Sequence, residues 1–536
     1  MKKRVLIGGA WPYANYNLHI GHLVALLPAD VIARFHRNNG AEVVYVSGSD
    51  CHGTPITERA KKEGKTAKEI AEYYHNQDVD TFNRYNFSYE MYTATMTEEH
   101  KNKVKEYFMD LYNNGYIFEK EIEQEYCNKC NTFLSDREIV GTCPVCGEEC
   151  NGDQYDSCLT SLEANDVKDK KCKTCKEEVV LKTNKHLYFK LSAFQDVIQD
   201  YIEKNKKYWR KNAVGETQKF LDLGLIDRAA TRQLDWGVEV PIDGFEDKRI
   251  YVWIEAVLGY LTTGNLVCQS KGIDFEEFMK DDENLDTYYV HGKDNIPFHT
   301  VIFPSLIKGI NRGYQLPKYI VSSHYMNMND EKMSKSKGNL ITADELADMY
   351  DVDSIRYYLI ANNPEQRDVS FSHEDFIQTH NKFLVGVLGN FVNRNLSFIN
   401  KKFDGVISKG NIDKNIREKT KRLYSYVGDL IKQGELRNAI AEVIDYASMG
   451  NKYYDEMEPW KLVKEDIDKF NDVSFTCAYI IANLSNLVEP FMPRVSKDIK
   501  EMLSLEDASW NEILLENDIT INNCRLLFER IEEKSN

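Results

Sequence analysis

Residues 3–50, KRVLIGGAWPYANYNLHIGHLVALLPADVIARFHRNNGAEVVYVSGSD, decide the fold. KRVLIGG carries the short apolar run of a strand. LHIGHLVALLPADVIARFHRNNG reads as a loop and then a helix ended by Gly40, and AEVVYVSGSD as a second strand of β-branched residues with a polar end. Strand, helix and strand at this spacing form a βαβ unit and imply a parallel sheet. Residues 56–117 continue mostly as helix. Strand-like segments return at RIYVWIEA (249–256), DTYYVHG (286–292) and KYIVSSHY (318–325), each followed by a polar or glycine-containing turn. The fold class expected is therefore α/β, one doubly wound, Rossmann-like parallel sheet in two halves. Ligands in such sheets sit beyond the C-terminal strand ends, where the strand order switches.

The stretch between the halves is rich in cysteine. Eight of the 12 cysteines fall between Cys127 and Cys175, in three C-x-x-C pairs (Cys127/Cys130, Cys143/Cys146, Cys172/Cys175) plus Cys150 and Cys158. The N-terminal apolar run, Val5 to Ile7, is too short for a signal peptide. No apolar run approaches the roughly 20 residues that span a bilayer. An intracellular, cytoplasmic protein with reduced thiols is expected, and there such a cluster favours metal over disulfides.

A chain of 536 residues exceeds one core and implies two to four domains. A net charge of −17 argues against non-specific coating of nucleic acid and leaves room for a local basic face. From residue 373 the pattern becomes helical. Leu423, Val427, Leu430 and Ile431, then Leu436, Ile440, Val443 and Ile444, each form an apolar stripe, and no proline occurs between Pro364 and Pro459. An all-α bundle is expected there.

Two short stretches carry chemistry. Leu18-His19-Ile20-Gly21-His22 lies where the first helix begins, and a helix N-terminus with two histidines suits phosphate. Gly21 lets a ligand approach the backbone. Lys332-Met333-Ser334-Lys335-Ser336-Lys337-Gly338-Asn339 alternates lysine with small polar residues, a pattern able to neutralise a triphosphate. No G-x-x-x-x-G-K-[ST] motif occurs, so a P-loop nucleotidase is not indicated.

These motifs resemble the HIGH and KMSKS signatures of the class I aminoacyl-tRNA synthetases. AWPYANYNLHIGH (10–22), SDCHGTP (49–55), YVWIEAVLGY (251–260) and HGKDNIPFH (291–299) are similar to the methionyl-tRNA synthetase family over essentially the whole chain. The resemblance implies a ligase of protein biosynthesis that activates methionine with ATP and transfers it to tRNA(Met), with Mg²⁺ on the phosphates. It implies His19, His22, Lys332 and Lys335 as catalytic residues, and Gly21, Gly292 and Asp294 beside them in ATP binding. Methionine would meet Trp11, Tyr13, Asp50, Trp253, Ala256, Val257, Tyr260 and His299. Trp11 and Val257 stand where leucine and proline are frequent in the family. Asn390, Arg394 and Trp460 match its anticodon readers.

The implied parts are a catalytic Rossmann-like domain in two halves (1–117 and 231–325), a zinc-knuckle insertion (118–230), a KMSKS loop with a connecting segment (326–372) and an anticodon-binding bundle (373–536). The chain ends soon after the bundle, which favours a monomer. Cys127, Cys130, Cys172 and Cys175 form a complete set for one structural zinc. The family pattern would place cysteines at 155 and 158; here Tyr155 replaces one. A second site of Cys143, Cys146 and Cys158 is thus one ligand short, either completed by Cys150 or empty. The alternative to an enzyme is a zinc-containing tRNA-binding protein on an inactive synthetase fold, against which the intact histidines and lysines argue.

Overall fold

A computed structural model describes residues 2–134, 138–143, 147, 149–151, 167–328 and 340–532. Its centre is a five-stranded parallel sheet. In chain order the strands are β1 (Arg4–Gly9), β2 (Glu42–Ser49), β3 (Met91–Ala94), β4 (Leu285–Gly292) and β5 (Tyr319–Ser323), arranged β5-β4-β1-β2-β3. Strand order runs outward from β1 to β3, then returns to the other side of β1. The switch point therefore lies between β1 and β4, paired in parallel from Arg4↔Leu285 to Gly9↔Val290.

The residues of β1 explain why it is central. Val5, Leu6 and Ile7 are all fully buried, as a strand covered on both faces requires. Val5 and Ile7 pack in one core with the helix α1 (Ile20–Asn38). Leu6, pointing the other way, packs in a second core with α2 (Glu98–Asn113) and α3 (Val252–Ser270).

Two segments differ from the sequence-based expectation. The run RIYVWIEA is strand only at Arg249–Ile250, and from Val252 it is the first turns of α3. Its β-branched and aromatic residues suggest a strand, but α3 is apolar almost all round because it lies between the sheet and other helices, which hides the helical period. The second difference is β3, a four-residue strand within a region expected to be mostly helix. A short edge strand gives little periodic signal.

The insertion leaves α2 as a long antiparallel ribbon, Ile117–Cys127 paired with Val180–Phe189 in register from Ile117↔Phe189 to Tyr126↔Val180. At its tip one strand ends at Cys127, while Cys172 and Cys175 precede the returning strand. The C-terminal bundle contains α4 (Asn390–Lys402), α5 (Lys414–Lys432), α6 (Leu436–Met457) and α7 (Ile467–Val488). Of the two predicted stripes, Val427, Leu430, Ile431, Leu436, Ile440, Val443 and Ile444 are buried and Leu423 is partly buried against the same core. The bundle shares a core with α1, whose Phe35 meets the Trp510 ring edge-on at 4.9 Å.

Candidate active site

The HIGH-like turn is a helix cap. His19 is the N-cap of α1, in extended conformation, and its Nδ1 accepts the Gly21 N–H at 3.1 Å. His22 Nδ1 in turn accepts the His19 N–H at 3.1 Å, a reciprocal capping box built from two imidazoles whose ring centres are 3.9 Å apart. Because both Nδ1 atoms accept, each neutral ring carries its proton on Nε2. The first turn of α1 has no acidic residue to offset its positive end. Residues 341–343 pair with this turn: Ile20 N–H donates to Ile341 O at 3.4 Å and Ala343 N–H to Leu18 O at 2.8 Å. The segment following the lysine-rich motif is thus anchored against the histidines. Lys332 and Lys335 themselves lie outside the described residues.

Beside the turn, beyond the ends of β1 and β2, is a cavity of about 70 Å³. All eight residues predicted for methionine line it. Trp11 and Tyr13 come from the loop after β1 and Asp50 from the end of β2. Trp253, Ala256, Val257 and Tyr260 lie along one face of α3, and His299 follows β4. Ala10, Asn295 and Phe298 complete the wall. Tyr13 and Trp253 are partly exposed and joined by the Trp253 Nε1–H donating to the Tyr13 hydroxyl at 3.2 Å, which places them at the mouth.

The depth of the cavity is kept uncharged at its Tyr260 end. Burial pushes the His299 imidazole down to about 4, so it is neutral at pH 7. Its Nδ1–H donates to the Asn295 carbonyl at 2.8 Å, which leaves Nε2 to accept the Tyr260 hydroxyl at 2.9 Å. His299 also stacks on His291, with centroids 4.1 Å apart. Trp11 closes another side. Its indole fills a slot between Gly48 and Gly259, where a Cβ on either glycine would collide with the ring. Asp50 is the wall's carboxylate. Burial and the charge of Glu255 raise it well above the ordinary carboxylate range.

The residues predicted for the nucleotide lie beyond β4. A Cβ added to Gly292 would meet no atom within 4 Å, so its face is open to a flat ligand. Asp294, exposed on the next turn, accepts the Tyr325 hydroxyl. Tyr325 is itself held in place: its N–H donates to Asp368 at 3.0 Å, and the Lys293 ammonium, paired to Asp368 at 2.9 Å, lies 4.0 Å over its ring.

Two further predicted groups sit apart. At the ribbon tip, Cys127, Cys130, Cys172 and Cys175 bring their sulfurs within 4.8 Å of one another. Cys127 and Cys175 are 3.3 Å apart and Cys130 and Cys172 3.9 Å, against about 3.8 Å between thiolates on one tetrahedral zinc. This cluster can hold a metal ion. Of the second set, Cys143 is buried, as is Cys150, while Cys146 and Cys158 lie outside the described residues. In the bundle, Asn390 donates to Asn451 at 3.1 Å and Arg394 to Asp455 at 2.6 Å, so both lean on α6. Arg394 also lies 4.3 Å over Tyr454, whose ring is 5.7 Å from the 40% exposed Trp460, giving one partly open surface.

Sequence reasoning missed Asn295 and Phe298 in the cavity wall, Tyr325 on Asp294, and the buried Glu255, whose two oxygens lie 2.8 Å from His52 Nδ1 and 2.8 Å from His100 Nε2. Four of them, Asn295, Phe298, His52 and Glu255, lie inside the quoted motifs, where their helical or turn phase relative to known pocket residues could have found them. Tyr325 ends the quoted stretch KYIVSSHY, where nothing marks it as a partner of Asp294, and His100 reaches the site only through tertiary packing.

A family model described as tRNA synthetases class I (M) matches residues 5–396, and one described as the anticodon binding domain of methionyl tRNA ligase matches 407–534. The chain is 45% identical to methionine--tRNA ligase 1 of Alkaliphilus oremlandii, covering 99% of this chain and 98% of the relative. It is 44% identical to methionine--tRNA ligase of Bacillus cereus, covering 99% and 97%. Its fold matches a Mycobacterium tuberculosis methionyl-tRNA synthetase solved with methionyl-adenylate, at a TM-score of 0.81 and 23% identity over 98% of this chain and 100% of the other. No helix among the described residues is long and apolar enough to cross a membrane. With a matching catalytic family model over most of its length and close relatives end to end, the chain belongs to the methionyl-tRNA synthetase family of class I aminoacyl-tRNA synthetases.

Proposed function

We propose that the protein activates methionine with ATP to methionyl-adenylate, releasing pyrophosphate, and transfers the methionyl group to the terminal ribose of tRNA(Met). The observation that carries this reading is one cavity, lined by all eight predicted methionine contacts, opening beside a histidine-capped helix start at the switch point of the sheet.

In this reading the substrate ammonium pairs with Asp50. The thioether chain lies among Trp11, Tyr260, Val257, Ala256 and the neutral His299, where aromatic faces suit sulfur. The substrate carboxylate attacks the α-phosphorus in line, and the bond to the bridging oxygen of pyrophosphate breaks. His19 and His22, with protons on Nε2, donate to phosphate oxygens as negative charge grows there, assisted by the positive end of α1. Asp294 accepts the ribose hydroxyls, the open face at Gly292 receives adenine, and Lys332 and Lys335 neutralise the triphosphate. Mg²⁺ bound to the phosphates would supply further charge neutralisation. Asn390, Arg394 and Trp460 read the anticodon from the bundle.

The four outer cysteines hold one structural zinc that closes the ribbon tip. Metal analysis of the purified chain should find one zinc, lost in Cys172→Ser; two tightly held ions would mean that the inner set is also complete. The function itself is tested by ATP–pyrophosphate exchange across several amino acids and by charging of a tRNA(Met) transcript. Exchange strongest with another amino acid, or none at all, would sink it.

A further inference from the structure

The bundle helix α6 does not cap its own beginning. Its N-cap residue, Glu435, makes no side-chain bond to the backbone N–H groups of the first turn, which need acceptors from elsewhere. A carboxylate of the connecting segment supplies one: Glu365 Oε1 accepts the Leu436 N–H at 3.1 Å and the Arg437 N–H at 3.2 Å. The same oxygen lies 3.4 Å from the guanidinium of Arg210, in the insertion, which also donates to Gly434 O at 2.9 Å. The other arm of Arg210 reaches Ser322 O at 3.3 Å and Ser323 Oγ at 3.2 Å, at the end of β5, and Asn363 Oδ1 at 3.4 Å.

Asn363 carries the connection into α1. Pro28 lies inside that helix and has no N–H to give to the Val24 carbonyl four residues back. Asn363 Nδ2 donates to that carbonyl instead, at 3.0 Å. Val24 is two residues past His22, so a continuous path of polar contacts runs from the histidine-capped end of α1 through Asn363, Arg210 and Glu365 to the start of α6. Asn363 is fully buried, and Arg210 and Glu365 mostly so. Replacing such a buried pair with apolar side chains is often neutral or stabilising, so stability alone does not account for it. The other end of α6 supports the predicted anticodon readers. Asn451 accepts Asn390, Asp455 pairs with Arg394, and Tyr454 lies under Arg394 and beside Trp460. A helix of 22 residues puts about 33 Å between these two ends.

We propose that Glu365 and Arg210 are positioning residues for tRNA: by tying the near end of α6 to α1, they hold the anticodon surface at the one distance from the adenylate site at which a single tRNA engages both. Only whole tRNA feels this role. Methionine and ATP use the α1 end alone, and an isolated anticodon stem-loop uses the far end of α6 alone. Fixed spacing between two sites raises the effective concentration of the acceptor end at the second site once the first is occupied. This rests on Asn390, Arg394 and Trp460 being the anticodon surface of the proposed function.

In full-length Glu365→Ala, kcat/KM for charging a tRNA(Met) transcript is expected to fall about tenfold. Methionine-dependent ATP–pyrophosphate exchange should stay at the wild-type level. So should the affinity for the isolated anticodon stem-loop RNA, read as its inhibition constant against charging. Glu365→Gln keeps an acceptor oxygen for the two N–H groups and should recover most of the charging. Unchanged charging in Glu365→Ala overturns the proposal. A loss of stem-loop affinity or of exchange as large as the loss of charging also overturns it, because either places the defect at one end. If Glu365→Ala fails to fold, Arg210→Lys, which keeps the charge and loses the two-armed guanidinium, is read by the same three assays with the same expectations. A wild-type chain with no exchange, or with no affinity for the stem-loop, would instead count against the function proposed above.

Discussion

The Arg356 guanidinium and the Asp30 carboxylate meet at 2.7 Å with neither side chain exposed at all. Arg356 also donates to the carbonyls of Tyr85, Pro490 and Phe491, and Asp30 accepts Arg34, whose other arm reaches Glu489 at 2.7 Å. Asp30 and Arg34 are on α1, so this group of charges joins the helix that begins at His19 to the end of the bundle.

Burial would raise the Asp30 carboxyl, but Arg34 and Arg356 outweigh it and hold it far below the ordinary range. A group depressed in this way contributes its stability fully above the unfolded carboxylate pKa of about 3.9, and the contribution is lost as pH falls through the lower folded value. Asp30→Asn should therefore destabilise the protein by about 3–5 kcal/mol at pH 7, because it strands a buried guanidinium. Urea or thermal unfolding should show this penalty unchanged from pH 8 to 5. A loss under 1 kcal/mol would contradict it.

The glycine slot around Trp11 predicts a specific defect. Gly259→Ala should drive the indole into the cavity and raise KM for methionine roughly tenfold, in line with the 1–3 kcal/mol typical of overpacking. KM for ATP should hold. Adding Trp11→Leu should restore much of the loss, and a double variant no better than the single one would show that the slot does not set the pocket.

Tyr325 fixes an otherwise exposed Asp294, so Tyr325→Phe should raise KM for ATP about three- to tenfold while sparing KM for methionine. In an Asp294→Asn background the tyrosine change should have no further effect. Additive losses in exchange kinetics would mean that the two act separately.

Trp460→Ala should cut kcat/KM for tRNA by about 10- to 100-fold, the scale of one lost base stack, with pyrophosphate exchange unchanged. Equal losses in both assays would point to damage of the bundle instead.

Much of this architecture is legible in residues 3–50, because a doubly covered strand and the helix after it announce themselves by apolar runs of different length. The same logic fails at Val252–Ser270, where burial on every side erases the period that separates helix from strand. The sequence-predicted residues that line the cavity all lie in short contiguous motifs. His100 was invisible because nothing local marks it; it matters only because α2 packs across α3 and brings its ring to Glu255.

The imidazoles at 19 and 22 cap the start of the helix, and the proposed function also sets them against the phosphate oxygens, so on that reading deleting either one removes two things together. A rate lost in His19→Ala would mix an uncapped α1 with a missing proton donor. Asparagine is among the best cap-forming residues and lacks the imidazole Nε2–H, so His19→Asn keeps the fold of the turn while removing the ring. In the proposed function the scaffold and the reagent are the same two side chains, and that substitution is the way to tell their contributions apart.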